Sequence, residues 1–270
     1  MRRYLLNGIL AAVLAFIFYS CSTVPITGRS QLNLIPDNQM LSMSFSEYDQ
    51  FLKDNKISEN KQATAQVTKV GEKLASAVEK YFAQHNLSSQ LDGYKWEFHL
   101  VESKDANAWC MPGGKVVVYT GILPITQTEA GLAVVLGHEI AHAVAKHGNE
   151  RMSQALVTQL GGIALSEALK SKPSETRNIW LAAYGLGSQV GVLLPYSRLQ
   201  ESEADHLGLI FMAMAGYNPN EALDFWKRME SMQSGQAPPE FLSTHPSNQT
   251  RIEDIKKELP EAEKYYKGAQ

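Results

Sequence analysis

The sequence predicts a mainly helical α+β fold with one small β-sheet, and three observations lead there. Most of the chain falls into long segments in which apolar residues recur at three- and four-residue steps, the spacing of a helix face. Only two short stretches alternate or gather β-branched residues, so the sheet is small. A 270-residue chain with 44% hydrophobic content can bury a sizeable core in one domain, or in one domain with a small appendage.

Taken in order, Asp37 opens a helix over residues 37–51, and a longer one runs over 58–85. Within the second, Val67, Val70, Leu74, Val78 and Phe82 form a core-facing stripe. Residues 94–101 alternate, with Trp96, Phe98 and Leu100 on one face, and His99 falls on the other as a surface histidine. Residues 107–114 form a turn, and 115–120 a second strand rich in valine. If that strand lies on the sheet edge, its backbone can pair with an extended peptide, making Asn107, Val116 and Val118 candidate substrate-binding residues; an ordinary internal strand is the alternative.

The run 128–149 has no proline, carries Glu129 near its start and Lys146 and His147 near its end, and stops at Gly148-Asn149. Acid first and base last mark one helix. On it His138 and His142 stand four residues apart on one face, spaced for a single metal ion, with Glu139 one step round. This is the H-E-x-x-H pattern, in which the glutamate reaches a metal-bound water. A buried helix with two hydrogen-bonded core histidines is the other reading.

Beyond it, residues 153–169 continue as an apolar helix, and 170–174 break it. Residues 179–196 are apolar over about eighteen positions, close to the roughly twenty a membrane span needs. The preferred expectation is a helix buried in the domain or dipping toward a membrane surface. A further helix starts at Ser197, carries Leu207, Leu209, Ile210 and Met214 on its apolar side, and presents Glu201 and Asp205 four residues apart. Two histidines leave a hydrolytic zinc one protein ligand short, and Glu201 is the natural third. Asp205 can accept a hydrogen bond from the far nitrogen of a metal-bound histidine. Glu203 points away and reads as surface, as do His147 and His206. Cys110 could replace Glu201 as a thiolate ligand, but beside Trp109 and Met111 it reads as a small buried apolar residue. Residues 234–239 form a loop that could cover the cleft, and the last stretch is a charged helix and tail.

At the N-terminus, Arg2-Arg3, an apolar run over 5–19 and Ser20-Cys21 have the layout of a targeting segment. It resembles a bacterial lipoprotein signal, which implies a lipidated Cys21; an uncleaved anchor helix is the alternative. The expected division is a signal peptide over 1–20, a membrane tether over 21–35, a folded domain carrying the metal-site motifs over 36–259 and a polar tail over 260–270. Ser22 after Cys21 fits sorting to the outer membrane. Net charge of -3 with pI near 6.2 gives nucleic acid no electrostatic footprint. Two cysteines exclude a disulfide framework.

His138-Glu139-Ile140-Ala141-His142 with Glu201-Ser202-Glu203-Ala204-Asp205, preceded by Ser197-Arg198 and followed by His245-Pro246, resembles the membrane-associated zinc metallopeptidases of the CAAX prenyl protease, HtpX and Oma type, and within them the bacterial lipoprotein branch. The resemblance covers about residues 24–255. It implies a gluzincin-type fold, one Zn2+ on His138, His142 and Glu201, Glu139 as general base and Asp205 behind the ligands. It also implies an oxyanion or gating role for His245, and Arg251 completes the family's H-P-x-x-x-x-R pattern as a structural partner of an acidic residue. The implied activity is endopeptidase cleavage of misfolded or membrane-associated envelope proteins in the periplasm. An assembly factor or chaperone with a shut site, working with envelope assembly machinery, is the competing reading.

Overall fold

The computed structural model describes residues 21–24, 27–189, 193–233, 241–245 and 249–267. The segment expected as a signal peptide, the loop expected over the cleft and Pro246 lie outside them. In chain order the elements are β1 (Cys21–Thr23), β2 (Ser30–Leu32), α1 (Asp37–Asp54), α2 (Lys61–Gln84), β3 (Glu97–Val101), β4 (Ala108–Met111), β5 (Lys115–Tyr119), the short α3 (Leu123–Thr126), α4 (Glu129–Val144), α5 (His147–Ala168), α6 (Ser174–Ser188), α7 (Leu194–Met214), α8 (Glu221–Gln233), the one-turn α9 (Phe241–Thr244) and α10 (Gln249–Ala262). The expected mainly helical chain is what is observed, with a two-stranded sheet in addition to the one small sheet expected. The contacts divide it into two compact units, Met1–Asp37 with Lys146–Gln200, and Asn38–Ala145 with Glu201–Gln270.

The second unit holds the three-stranded sheet, in the order β3-β5-β4. β5 runs parallel to β3 and antiparallel to β4, with Val116 opposite both Phe98 and Cys110. The valine strand is therefore central, and Val116, Val117 and Val118 are fully buried. This corrects the edge-strand expectation: Val116 and Val118 spend their backbone on neighbouring strands, and Asn107 turns its amide oxygen to Ala108 N at 2.9 Å and its carbonyl to Tyr119 N at 3.0 Å. Half of the supposed turn over 107–114 is β4, and the reversal is confined to Pro112, Gly113 and Gly114, with both glycines in the left-handed region at φ 87° and 81°. His99, expected at the surface, is half-buried and shares a 2.6 Å hydrogen bond with the Tyr48 hydroxyl.

α2 begins at Asn60, whose side chain accepts from Ala63 N at 3.1 Å, and all five stripe residues from Val67 to Phe82 are fully buried. α4 is capped by the Thr128 hydroxyl, which accepts from Gly131 N at 2.9 Å. Every residue from Gly131 to Val144 is buried, so this helix is sheathed all round rather than lying on a surface. It ends at Ala145, before the expected Gly-Asn stop, because Lys146 adopts φ 59° and breaks the hydrogen-bond ladder. The same unit contains the crossing of α4 with α7. A Cβ on Gly137 would stand 3.0 Å from Gly208 O, and one on Gly208 would stand 2.9 Å from His138 N. Only glycine at both positions lets the two backbones approach this closely. At the C-terminus, Ala262 is buried and Tyr265 meets the Tyr81 ring at 6.1 Å, so these two residues of the expected polar tail are packed.

In the first unit the expected tether is an ordered hairpin, β1 pairing with β2 in antiparallel register from Cys21 opposite Leu32. It is fastened to the start of α5. Arg29 grips the buried Glu150 carboxylate with two hydrogen bonds of 2.7 and 2.8 Å, Leu34 N donates to Ser153 Oγ at 2.9 Å, and Asn149 Nδ2 donates to Ile35 O at 2.7 Å. Gln200 adds a 2.7 Å bond to the same carboxylate. His147, read from sequence as a surface residue, is fully buried, since the break at Lys146 starts a new helix with this side chain inward. α5 and α6 are joined by Tyr184, whose hydroxyl donates to Thr158 O at 2.9 Å. α6 contains no buried residue, which goes against the first of the two expected settings, a helix buried in the domain, and not against the second, a helix dipping toward a membrane surface.

This packing sets three expected outcomes. Gly208→Ala should lower stability by about 2 kcal/mol, a fall of about 4–8 °C in melting temperature, because backbone on both sides leaves the methyl nowhere to go. Gly185→Ala, in open space on α6, should leave it unchanged or raise it by up to about 1 kcal/mol in the same calorimetric scan. Glu150→Ala should strand Arg29 at a cost of about 3 kcal/mol and speed tryptic cleavage after Arg29.

Candidate metal centre

Four side chains of the second unit converge on one point. His138 and His142 come from the same face of α4, Glu201 from α7, and His245 follows α9. His138 Nε2 lies 3.1 Å from His142 Nε2 and 3.3 Å from Glu201 Oε2, and His142 Nε2 lies 3.3 Å from Glu201 Oε1. His245 Nδ1 stands 3.0 Å from His138 Nε2 and 2.9 Å from Glu201 Oε2. Its Nε2 is 3.3 Å from Glu139 Oε1. All of the residues anticipated around the metal are thus brought together, while Cys110 is not among the clustered donors. Burial raises the Cys110 thiol well above its usual range, with the Glu139 charge adding to this, which keeps it protonated and a poor ligand.

Behind the donors stands a second set of contacts. Asp205 Oδ1 is 3.0 Å from His138 Nδ1. Arg251 grips Asp205 through two hydrogen bonds of 2.7 Å, from Nε to Oδ2 and from Nη2 to Oδ1, and its Nη1 lies 3.3 Å from Glu201 Oε2. The guanidinium carbon sits 3.5 Å from the centre of the Trp226 ring, and Trp226 and Phe241 each stand 6.2 Å from the His138 ring. Arg251, expected from sequence to pair with an acidic residue, does so, and it also belongs to the centre, being buried between two of its carboxylates. Glu203, expected at the surface, is buried as well. His206, from the same helix, bonds Glu258 at 2.6 Å.

The charges of the cluster do not balance. Burial alone would lower the His138 pKa, but its hydrogen bonds to Asp205 and Glu201 outweigh it and push the ring up to about 9. Burial works to raise Glu201, yet the three histidines hold its carboxyl far below the usual carboxylate range. Asp205 is likewise held low against its burial, chiefly by Arg251. Three carboxylates, Glu139, Glu201 and Asp205, face one fixed cation, Arg251, and the raised His138 adds only one more positive charge, so the centre keeps a surplus of negative charge. A divalent cation removes that surplus.

The donor geometry fits zinc. A tetrahedral ion with bonds of about 2.0–2.1 Å separates its ligand atoms by about 3.3 Å, which matches the spacings of 3.1 to 3.3 Å among His138, His142 and Glu201. Nitrogen and oxygen donors from three residues, with a glutamate beside them, make the set used by hydrolytic rather than structural zinc.

Comparison with known proteins agrees with this chemistry. The model for peptidase family M48 matches residues 62–259. The mitochondrial metalloendopeptidase OMA1 of Schizosaccharomyces pombe is 32% identical over 97% of this chain and 73% of its own length. The human mitochondrial metalloendopeptidase OMA1 is 33% identical over 92% of this chain, which spans 47% of the human protein. The beta-barrel assembly-enhancing protease of Yersinia pestis is 29% identical over 60% of this chain and 34% of its own length. Because the match runs from α2 through α10 and takes in both histidines, Glu201 and Arg251, this chain belongs to peptidase family M48, the zinc metallopeptidases that its donor set calls for.

Proposed function

We propose that the protein is a zinc endopeptidase of the bacterial cell envelope, held at a membrane by lipid on Cys21 and acting on unfolded or membrane-associated envelope proteins. The observation that carries the enzymatic part is the approach of Glu201 to within 3.3 Å of both α4 histidines, with Glu139 alongside. The cellular part draws on the apolar, basic-led segment before Cys21 and on the likeness to a beta-barrel assembly-enhancing protease.

In this reading His138, His142 and Glu201 hold the zinc. Zinc, when bound, acidifies a water and polarises the scissile carbonyl. Glu139 takes the proton of the attacking water on a carboxylate oxygen and passes it to the leaving amine nitrogen. Asp205 accepts the Nδ1 hydrogen of His138, so that the Nε2 lone pair faces the cluster, and Arg251 holds Asp205 in that orientation. The extended substrate pairs with β4, the outer strand on this side of the sheet, in place of the buried Val116 and Val118. His245 occupies the fourth corner, against His138, Glu201 and Glu139, where water and carbonyl must enter, and so acts as a gate.

That blocked corner also supports the competing reading, an envelope assembly factor whose site stays shut. Cleavage of unfolded casein by the purified full-length chain separates the two. Glu139→Gln should keep one zinc per chain and lose about 10²–10⁴-fold in rate, while Glu201→Ala should lose the zinc. Equal cleavage by wild type and Glu139→Gln would remove the proposed base, and no cleavage by zinc-loaded wild type would favour the assembly factor. His245→Ala should speed casein cleavage. A fall of about 10²-fold or more would instead mark the ring as a donor to the developing oxyanion.

A further inference from the structure

The exposed apolar side chains are unevenly distributed. Of the thirteen large hydrophobic residues that are exposed among the described residues, ten lie between Met152 and Leu199, in the first unit. From Leu156 onward α5 buries nothing, and α6 buries nothing at all. Leu160 and Ile163 on α5 are 56% and 58% exposed, and Ile179, Trp180 and Leu186 on α6 are 69%, 57% and 68% exposed. The two helices nevertheless form a defined hairpin, since Tyr184 lies against Gly161 and bonds Thr158 O. A rigid hairpin with apolar outer faces needs another medium to cover it.

The N-terminal sequence says which medium. Residues 5–19 are apolar but for Asn7 and follow Arg2-Arg3, and they lead directly into β1. The β1-β2 hairpin and the strand after it are pinned to the first turns of α5 by Arg29, Leu34 and Ile35. The chain that emerges from a membrane-seeking segment is thus fastened to the base of the apolar hairpin, within one compact unit. No helix among the described residues is long and apolar enough to cross a membrane, so such a hairpin can only lie in the interface. An exposed tryptophan is the side chain favoured at that depth. The residues around the connection, Glu167, Lys170, Lys172, Glu175 and Arg177, nearly cancel in charge, so apolar burial and not headgroup charge supplies the attraction.

We propose that the α5-α6 hairpin is a second membrane contact, which inserts the side chains of Leu160, Ile163, Ile179, Trp180 and Leu186 into the headgroup and upper acyl region of a lipid bilayer. It is separate from the anchor at the N-terminus and from the metal centre, and its test reads neither lipidation nor proteolysis.

The test uses the full-length chain reconstituted into phosphatidylcholine vesicles, with tryptophan emission read against a Trp180→Phe variant so that the difference spectrum belongs to Trp180. Zinc content equal to wild type verifies that the variant is folded. Insertion predicts a blue-shifted Trp180 component, quenched at least twofold by lipids brominated near the headgroup and little affected by iodide in the water. Replacing phosphatidylcholine by a phosphatidylglycerol mixture should change the quenching by less than twofold. A Trp180 component quenched by iodide and not by brominated lipid would overturn the proposal. So would one shielded from both, which would mean that the face is covered by protein, either a second copy or residues 1–20.

Discussion

The metal centre depends on how closely α4 and α7 can approach. His138 and Glu201 are separated by more than sixty residues of chain, and nothing local holds them together. What brings their side chains to 3.3 Å is a crossing with glycine on both helices, Gly137 beside His138 and Gly208 two turns beyond Glu201. Each glycine is a poor helix former, costing about 1 kcal/mol against alanine. Both are placed where any side chain would meet the partner's backbone, so helix propensity is given up to obtain ligand spacing. The all-round burial of α4 completes the constraint, because a sheathed helix cannot rotate its histidines away from the crossing.

Electrostatics then explains why so much charge is tolerated there. A buried carboxylate is costly unless it is paired and hydrogen-bonded. Asp205 is satisfied twice by Arg251 and once by His138, and Glu201 by three imidazoles and the same guanidinium. Arg251 suits this task because its planar fork binds one carboxylate through two donors, reaches a second and stacks on Trp226. The negative charge left over is the electrostatic counterpart of the donor geometry: both call for one divalent cation at the same place.

Much of this is legible in the sequence. The helical spacing of His138 and His142 and the i, i+4 pair Glu201 and Asp205 place four residues on defined faces, and those faces meet. The misreadings have physical causes. Val116, Val117 and Val118 are three consecutive apolar residues, which is the signature of a strand covered on both sides and a reason to expect it inside the sheet. His147 reads as exposed because nothing in composition signals that Lys146 takes a left-handed turn, which ends α4 early and starts α5 with this ring inward. Glu203 reads as exposed because a charged residue is seldom buried, and its burial depends on neighbours that lie outside its own helix. Arg251 is expected to pair with an acid, but which one depends on a contact between α7 and α10 that periodicity does not encode. The glycines at the crossing do carry a signal, since glycine in mid-helix is costly and calls for a reason. The apolar character of residues 179–188 is also plain, whereas periodicity is silent on whether protein or lipid covers such a face.

The central claim, that this crossing assembles a zinc site from imidazole and carboxylate alone, is tested most directly by zinc K-edge X-ray absorption of the metal-loaded protein. The account predicts a shell of nitrogen and oxygen scatterers at about 2.0–2.1 Å with the multiple-scattering signature of at least two imidazoles and no sulfur. A sulfur scatterer at about 2.3 Å would place Cys110 on the metal, and fewer than two imidazoles would mean that the α4 histidines do not share one ion; either result would contradict it.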